Sequence, residues 1–296
     1  MASIEPTELK ALITLLDDQD AEVFYHVQER LRGYGSEIVP HLMEAWEGTP
    51  NLVLQDRIEY VIHHIQLEQS LNAFEHWIQT PELDLLSGAL IIAQHRYPDF
   101  NEHLIWNRVD QLKRDIWVEM RGFTSPIEKI NLFNHVFYRQ WAFTVRAVEE
   151  DVEGHDFFLN RVVESRKGNE LTIGMLYLAM ARQLGLPVYG VILPDNFCLA
   201  YCRQELDEDR LLWGKEELQR GIQFFINPAN KGLIFTRHEL REHLKKIDQA
   251  DLYDDIGPVT TLAVVELLVT TMQLYYRKHH KPDLADDMNA YLRLLH

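Results

Sequence analysis

The sequence predicts an α+β protein, mostly helical, in which a small antiparallel sheet lies between two helical regions. Three observations lead there. The first hundred residues place apolar side chains at helical spacing, with no strand-like alternation. Short β-branched and aromatic runs cluster between Val188 and Phe235. From Pro258 to His296 the helical spacing returns. The expected organisation is a helical, repeat-like region over 1–99, a mixed core over 100–255 and a C-terminal helical hairpin over 256–296.

Each element has its own signal. Asp20 caps a helix whose apolar stripe is Val23, Phe24, Val27 and Leu31, with Gly33 and Gly35 as its stop. Ser36 opens a second, with Ile38, Val39, Leu42, Met43 and Trp46 inward and Gly48 at its end. Leu54, Ile58, Val61, Ile62 and Ile65 line a third helix, and Leu71, Phe74, Trp77 and Ile78 a fourth. Leu85, Leu86, Ala89, Leu90 and Ala93 line a fifth, ending before Pro98. Such helices bury their stripes only by stacking on neighbours. The segments Leu15–Val23 and Ile38–Leu42 resemble a HEAT repeat.

Farther along, Ser125-Pro126-Ile127-Glu128 has the form of a capping box with proline at the first helical position. The helix it opens carries Ile130, Phe133, Val136 and Phe137, and Glu149 to Asp156 is an acidic loop. Val188–Leu193 and Phe197–Cys202 read as strands joined by Pro194-Asp195-Asn196. Glu205 to Arg220 is a polar excursion; Ile222–Asn227 and Gly232–Phe235 complete an antiparallel sheet. Thr236-Arg237-His238-Glu239 is a second capping box, opening a helix to Ile247. The final hairpin turns near Lys281-Pro282-Asp283.

Composition limits the functions open to the chain. Its 296 residues suffice for two domains, and 46% hydrophobic with 25% charged content is that of an ordinary globular protein. With 46 acidic against 29 basic side chains the formal charge is -17, so phosphate backbones are repelled and nucleic acid is not an expected partner. The window Leu262 to Tyr276 is interrupted by Glu266 and falls short of the roughly 20 residues a bilayer requires. Residues Met1 to Lys10 lack the apolar run of a secretory signal. Two cysteines make no disulfide scaffold, so the expected location is cytoplasmic, away from membranes.

The most informative stretch runs from Arg166-Lys167-Gly168-Asn169-Glu170-Leu171-Thr172-Ile173-Gly174 to Gly185-Leu186-Pro187-Val188-Tyr189-Gly190-Val191: a helix opened by a glycine turn, a tight exit and a strand. It resembles the core of the transglutaminase-like superfamily, and more closely its bacterial SirB-type branch, whose helix usually starts Arg-x-Gly-x-Pro-Ile-Ser-Leu. Asn131 to Phe143 and Asn160-Arg161-Val162-Val163 fall where that branch shows Leu-Asn-x-x-Leu-Phe and Leu-Asn-x-Val-Leu. The resemblance spans roughly residues 100 to 280 and implies a papain/transglutaminase-like core with a helical tail.

In that superfamily a cysteine at the helix start is acidified by the helix dipole and a histidine, which an aspartate or asparagine orients. The resemblance puts Glu170 at the cysteine position. Asn196 stands where relatives show the histidine of Pro-Gly-His-Phe, and Asn227 where they show the aspartate of Asp-Pro. A glutamate cannot serve as thiolate, and an asparagine has no proton that titrates near neutrality. Cysteine chemistry is therefore expected to be lost.

A structural reading stands beside this one. Asn169 suits an N-cap, Glu170 in the first turn suits the dipole, and Asn196 and Asn227 suit turns. On the functional reading Asn169, Glu170, Asn196 and Asn227 line a polar pocket able to hold a peptide end, an amide or a small polar ligand.

Other motifs carry less. In His238-Glu239-Leu240-Arg241-Glu242-His243 the second histidine is one residue late for the zinc spacing, about 140° around the helix. His63-His64 and His279-His280 diverge on a helix, and the acidic clusters Asp207-Glu208-Asp209 and Asp251 to Asp255 lack calcium-loop spacing. No metal or other cofactor is expected. Cys198 and Cys202 share a strand face with Asn196, roughly 13 Å apart, too far for a mutual disulfide.

The expectation is a degenerate, non-catalytic transglutaminase-like protein that binds a protein or peptide. The alternative is a thiol-dependent hydrolase or acyltransferase acting on amide or thioester bonds, with Cys198 as relocated nucleophile. A third reading is a structural remnant with a closed pocket.

Overall fold

A computed structural model describes residues 5–151, 153–194, 196–207, 211 and 215–296. By internal contacts the chain divides into two units, Met1–His76 and Trp77–His296.

The first unit is helical. It contains α1 (Pro6–Leu15), α2 (Ala21–Arg32), a 3-10 turn (Gly35–Ile38), α3 (Val39–Gly48) and most of α4 (Leu52–Ile78). Leu9, Leu16, Val27, Leu31, Ile38, Leu42, Ile58, Val61 and Ile65 form its core. The Asp20 carboxylate accepts from Glu22 N–H as the N-cap of α2. Gly33 stays right-handed at φ -60°, and the left-handed residue is Gly35 at +67°. Met43, expected inward, is exposed.

The two helices expected over 54–65 and 71–78 are one continuous helix, α4. Between them lie Gln66-Leu67-Glu68-Gln69-Ser70, which contain no glycine or proline to end a helix.

The second unit begins with the end of α4 and α5 (Leu85–Arg96), capped by Asp84, then α6 (Glu102–Met120), capped by Asn101, and α7 (Pro126–Asn134). Ser125 precedes α7 with Pro126 at the first helical position, but its side chain makes no capping bond. Proline's preset φ starts this helix without the expected reciprocal bonds. α7 widens into a π-helical stretch over His135–Gln140, then β1 (Thr144–Val145) and α8 (Leu159–Ser165) follow. Arg166, left-handed at φ +62°, turns the chain into β2 (Lys167–Gly168), which pairs in parallel with β1.

α9 (Glu170–Gln183) is buried without interruption from Leu171 to Ala181. A helix covered on all sides has no need of a polar face, and this one is apolar all round. Gly185 at φ +68° ends it, with Leu186 N–H donating to Ala181 O, and the chain enters β3 (Val188–Ile192).

β4 (Phe197–Cys202), β5 (Ile222–Asn227), β6 (Leu233–Phe235) and β7 (Pro258–Val259) complete a five-stranded antiparallel sheet in the order β6-β5-β4-β3-β7. The strand β7 lies where the sequence predicts the start of the helical tail. Its pairing is only Gly190↔Val259 and Val191↔Pro258, too short for a periodic signal, and proline is tolerated there because the strand is at an edge.

Gly174 lets α9 approach the sheet: a Cβ there would come within 2.7 Å of Phe197 and 3.1 Å of Pro228. On the sheet's other face, Val191, Cys198, Ala200, Cys202 and Phe225 pack with Leu240 and Leu244 of the helix Arg237–Lys246. That helix starts with the full Thr236/Glu239 capping box. The helices Thr261–Lys278 and Pro282–Leu295 form the terminal hairpin. Among the described residues no helix is long and apolar enough to cross a membrane.

Candidate functional site

The start of α9 is fixed by hydrogen bonds that converge from three sides. Asn169 is 2% exposed, and its Oδ1 accepts from Thr172 N–H at 2.9 Å. Thr172 Oγ1 donates to Asp156 O at 2.7 Å. Gly168, just ahead, has no room for a side chain: a Cβ would lie 2.8 Å from Thr172 Oγ1 and 2.9 Å from Val162. From the sheet, Phe197 N–H donates to Glu170 Oε1 at 3.3 Å.

Behind this helix start lies a charged frame. Arg146 grips the buried Asp156 with both arms of its guanidinium, Nε to Oδ2 at 2.6 Å and Nη2 to Oδ1 at 2.7 Å. Asp151 Oδ2 accepts from Asp156 N–H at 2.6 Å, and Tyr275 OH donates to Asp151 O at 2.5 Å. Arg146 N–H donates to Gly168 O at 2.9 Å, tying the frame to the turn before α9. The hydrogen bonds with Asp156 hold the Arg146 pKa above its ordinary value, and burial raises that of Tyr275.

This frame is masked in the sequence, because Glu149 to Asp156 reads as a solvated acidic loop. The legible signal was Arg146 next to that loop with Phe157-Phe158-Leu159 after it, which pulls Asp156 inward. Within the same stretch Val152 lies outside the described residues. A second buried pair, His95 Nε2 with Asp287 Oδ2 at 3.0 Å, also went unsignalled.

Asn169, Glu170 and Asn196 meet in one cavity of about 310 Å³. Its apolar walls include Phe157, Leu171, Ile192, Pro194, Phe197 and Leu267. Asn169 Nδ2 and Asn196 Oδ1 are buried and make no hydrogen bond among the described residues. No cysteine, histidine, lysine or arginine is among the described residues that line it. Asp195, in the expected turn before Asn196, lies outside the described residues.

Asn227 does not line this cavity. Its Oδ1 accepts from Asn230 N–H at 3.0 Å and its carbonyl from Gly232 N–H at 2.9 Å, so it closes the β5–β6 turn. Cys198 is 2% exposed within the apolar cluster on the sheet face away from α9. Its shared face with Asn196 does not hold, because β4 begins at Phe197 and strand alternation does not extend to Asn196. Neither Cys198 nor Cys202 is in a disulfide, and burial pushes the Cys202 pKa up to about 12.

The other motifs stay apart from the cavity. Asp251 to Asp255 form an exposed 3-10 turn, while Glu208 and Asp209 lie outside the described residues.

The first turn of the buried α9 thus faces the start of β4, the arrangement that the resemblance to transglutaminase-like proteins implies. A sequence profile of the transglutaminase-like superfamily matches residues 104–269, which include α9, β3, β4, β5 and β6. The chain belongs to that superfamily. A UPF0162 protein of Xylella fastidiosa is 25% identical over 209 residues, 69% of this chain and 68% of the relative. Protein SirB1 of Salmonella typhimurium is 23% identical over 205 residues, 68% of this chain and 70% of its own. F-box only protein 21 of Homo sapiens is 24% identical over 181 residues, 53% of this chain and 29% of the relative. No solved structure gives a significant match. These relatives support a SirB-type member of the superfamily.

Proposed function

We propose that the cavity at the start of α9 binds an amide group carried by a peptide or protein partner and does not transform it. The supporting observation is the pair Asn169 Nδ2 and Asn196 Oδ1, one donor and one acceptor, buried in the cavity without partners among the described residues. A buried polar atom left unsatisfied costs about 1–3 kcal/mol. An amide supplies the complement of both, its carbonyl to Asn169 and its N–H to Asn196, while the apolar walls hold the rest of the segment.

The chemistry of the lining supports binding without turnover. Nucleophilic acyl transfer needs a thiolate or activated hydroxyl with a base beside it. On the motif resemblance Glu170 stands where the superfamily has its thiol, and its carboxylate accepts from the Phe197 amide. The thiol alternative is weakened by the place of Cys198 in the core, on the sheet's other face. On this reading the protein is a degenerate, cytoplasmic scaffold that holds its partner without turning it over.

The substitution Asn169→Asp tests the reading, because a carboxylate keeps the cap to Thr172 N–H while removing the Nδ2 donor. The probe is a glutamine-containing peptide titrated calorimetrically against the full chain. Its affinity is expected to fall about tenfold, the equivalent of 1.4 kcal/mol, in a variant that still unfolds as a single cooperative transition. Equal affinity for both proteins would refute amide recognition here.

A further inference from the structure

A second groove, of about 640 Å³, shares no lining residue with the amide cavity. It runs between α7 with its π-helical extension and the β5–β6 turn, ending on β6 at the sheet's edge. Its charged side chains are Arg139 and Lys231, with the His135 imidazole beside them; no carboxylate is among the described residues that line it. In a chain of formal charge -17 this is a local inversion of sign. Neither Arg139 nor Lys231 joins an ion pair among the described residues, and all three side chains are exposed.

The groove is apolar as well as basic. Leu233 on the edge strand is 54% exposed and Ile127 on α7 is 51% exposed. Exposed apolar side chains on an open sheet edge are features that proteins ordinarily suppress unless another chain pairs there.

Its floor is preorganised. Asn134 Nδ2 donates to Gly232 O at 2.8 Å, Asn134 Oδ1 accepts from Tyr177 OH at 2.9 Å, and Tyr138 OH donates to Pro228 O at 3.1 Å. The π turn, closed by Trp141 N–H to Val136 O at 2.9 Å, is an interruption of helix geometry often found where function requires a side chain re-aimed.

We propose that this groove docks an extended, acidic segment of a partner protein. Its carboxylates would face Arg139 and Lys231, and its alternate apolar side chains Ile127 and Leu233. Strand edges bind extended peptides in this way, the backbone supplying affinity and alternating side chains specificity.

The experiment titrates the full chain into a short fluorescein-labelled peptide of alternating glutamate and valine, reading anisotropy at low and physiological salt. Binding is expected at low salt and to weaken as salt rises. Arg139→Glu and Lys231→Glu should each reduce affinity about tenfold or more without moving the thermal midpoint. Arg139→Gln gives a smaller loss if the reversal disturbs folding. Absence of binding, equal binding by the variants, or equal binding of a glutamine–valine peptide overturns the proposal. A dimer seen by light scattering that these reversals dissociate would overturn it in favour of a second copy of this chain.

Discussion

The Glu170 carboxylate and the backbone N–H of Phe197 are joined at 3.3 Å, linking the first turn of α9 to the first residue of β4. The helix start and the strand start that face each other across a transglutaminase-like site are here tied directly by protein atoms. Replacing Glu170 with alanine is expected to remove about 1 kcal/mol of stability, through that bond and the helix dipole. Glu170→Gln, which keeps an acceptor, should lose less. Urea unfolding of the two variants side by side checks the order.

Asn169 carries two separable duties, and substitutions should divide them. Asn169→Ala loses the cap on Thr172 N–H and is expected to cost about 1 kcal/mol. Asn169→Asp keeps that cap, so with its carboxyl protonated near pH 4 it should unfold close to the native chain, while at neutral pH the buried charge adds its own cost; in both cases the Nδ2 donor to the amide is gone. Equal destabilisation by both substitutions near pH 4 would show that the cap is not what the side chain contributes.

Gly174 sets the distance between helix and sheet. In Gly174→Ala the new methyl would meet Phe197 at 2.7 Å, and the overpacking should destabilise by about 1–3 kcal/mol despite alanine's better helix propensity. A stabilised variant, seen as a raised thermal midpoint, would contradict the packing described.

The Arg146–Asp156 pair is expected to dominate local stability. Asp156 is 3% exposed, so Arg146→Met leaves a buried carboxylate without its cation and should cost about 3 kcal/mol or more. Asp156→Asn in the same background should recover part of the loss. Chemical denaturation of the single and double variants reads the coupling.

Alkaline pH should destabilise the protein through Cys202. Its folded pKa of about 12 lies above the ordinary thiol value of about 8.5, so the folded state holds the proton more tightly. The stabilisation is complete below about pH 8.5 and is lost as pH climbs toward about 12, at up to roughly 1.4 kcal/mol per pH unit. Cys202→Ala should show a shallower decline across that window in denaturation curves taken at several pH values.

Much of this structure was legible in the residues, for identifiable reasons. Gly168, Asn169 and Gly185 mark the two ends of α9 because turns and caps are local chemistry, and β3, β4 and β5 show in β-branched and aromatic runs. What escaped depends on contacts distant in sequence. The continuity of α4 was hidden because its apolar stripe drifts around the helix while no residue marks a break. The acids Asp151 and Asp156 look solvated until Arg146 and Tyr275 are seen around them. Asn227 fits the superfamily's aspartate position by motif, yet its side chain serves its own turn.

The central claim is that a transglutaminase-like framework here holds an amide without breaking it. Ammonia release from a glutamine-containing peptide, with and without a primary amine, measures this most directly on the purified full chain. The expected rate is that of the protein-free control, while the same peptide binds. Ammonia release that disappears in Asn196→Ala would contradict the claim and make the site an active one.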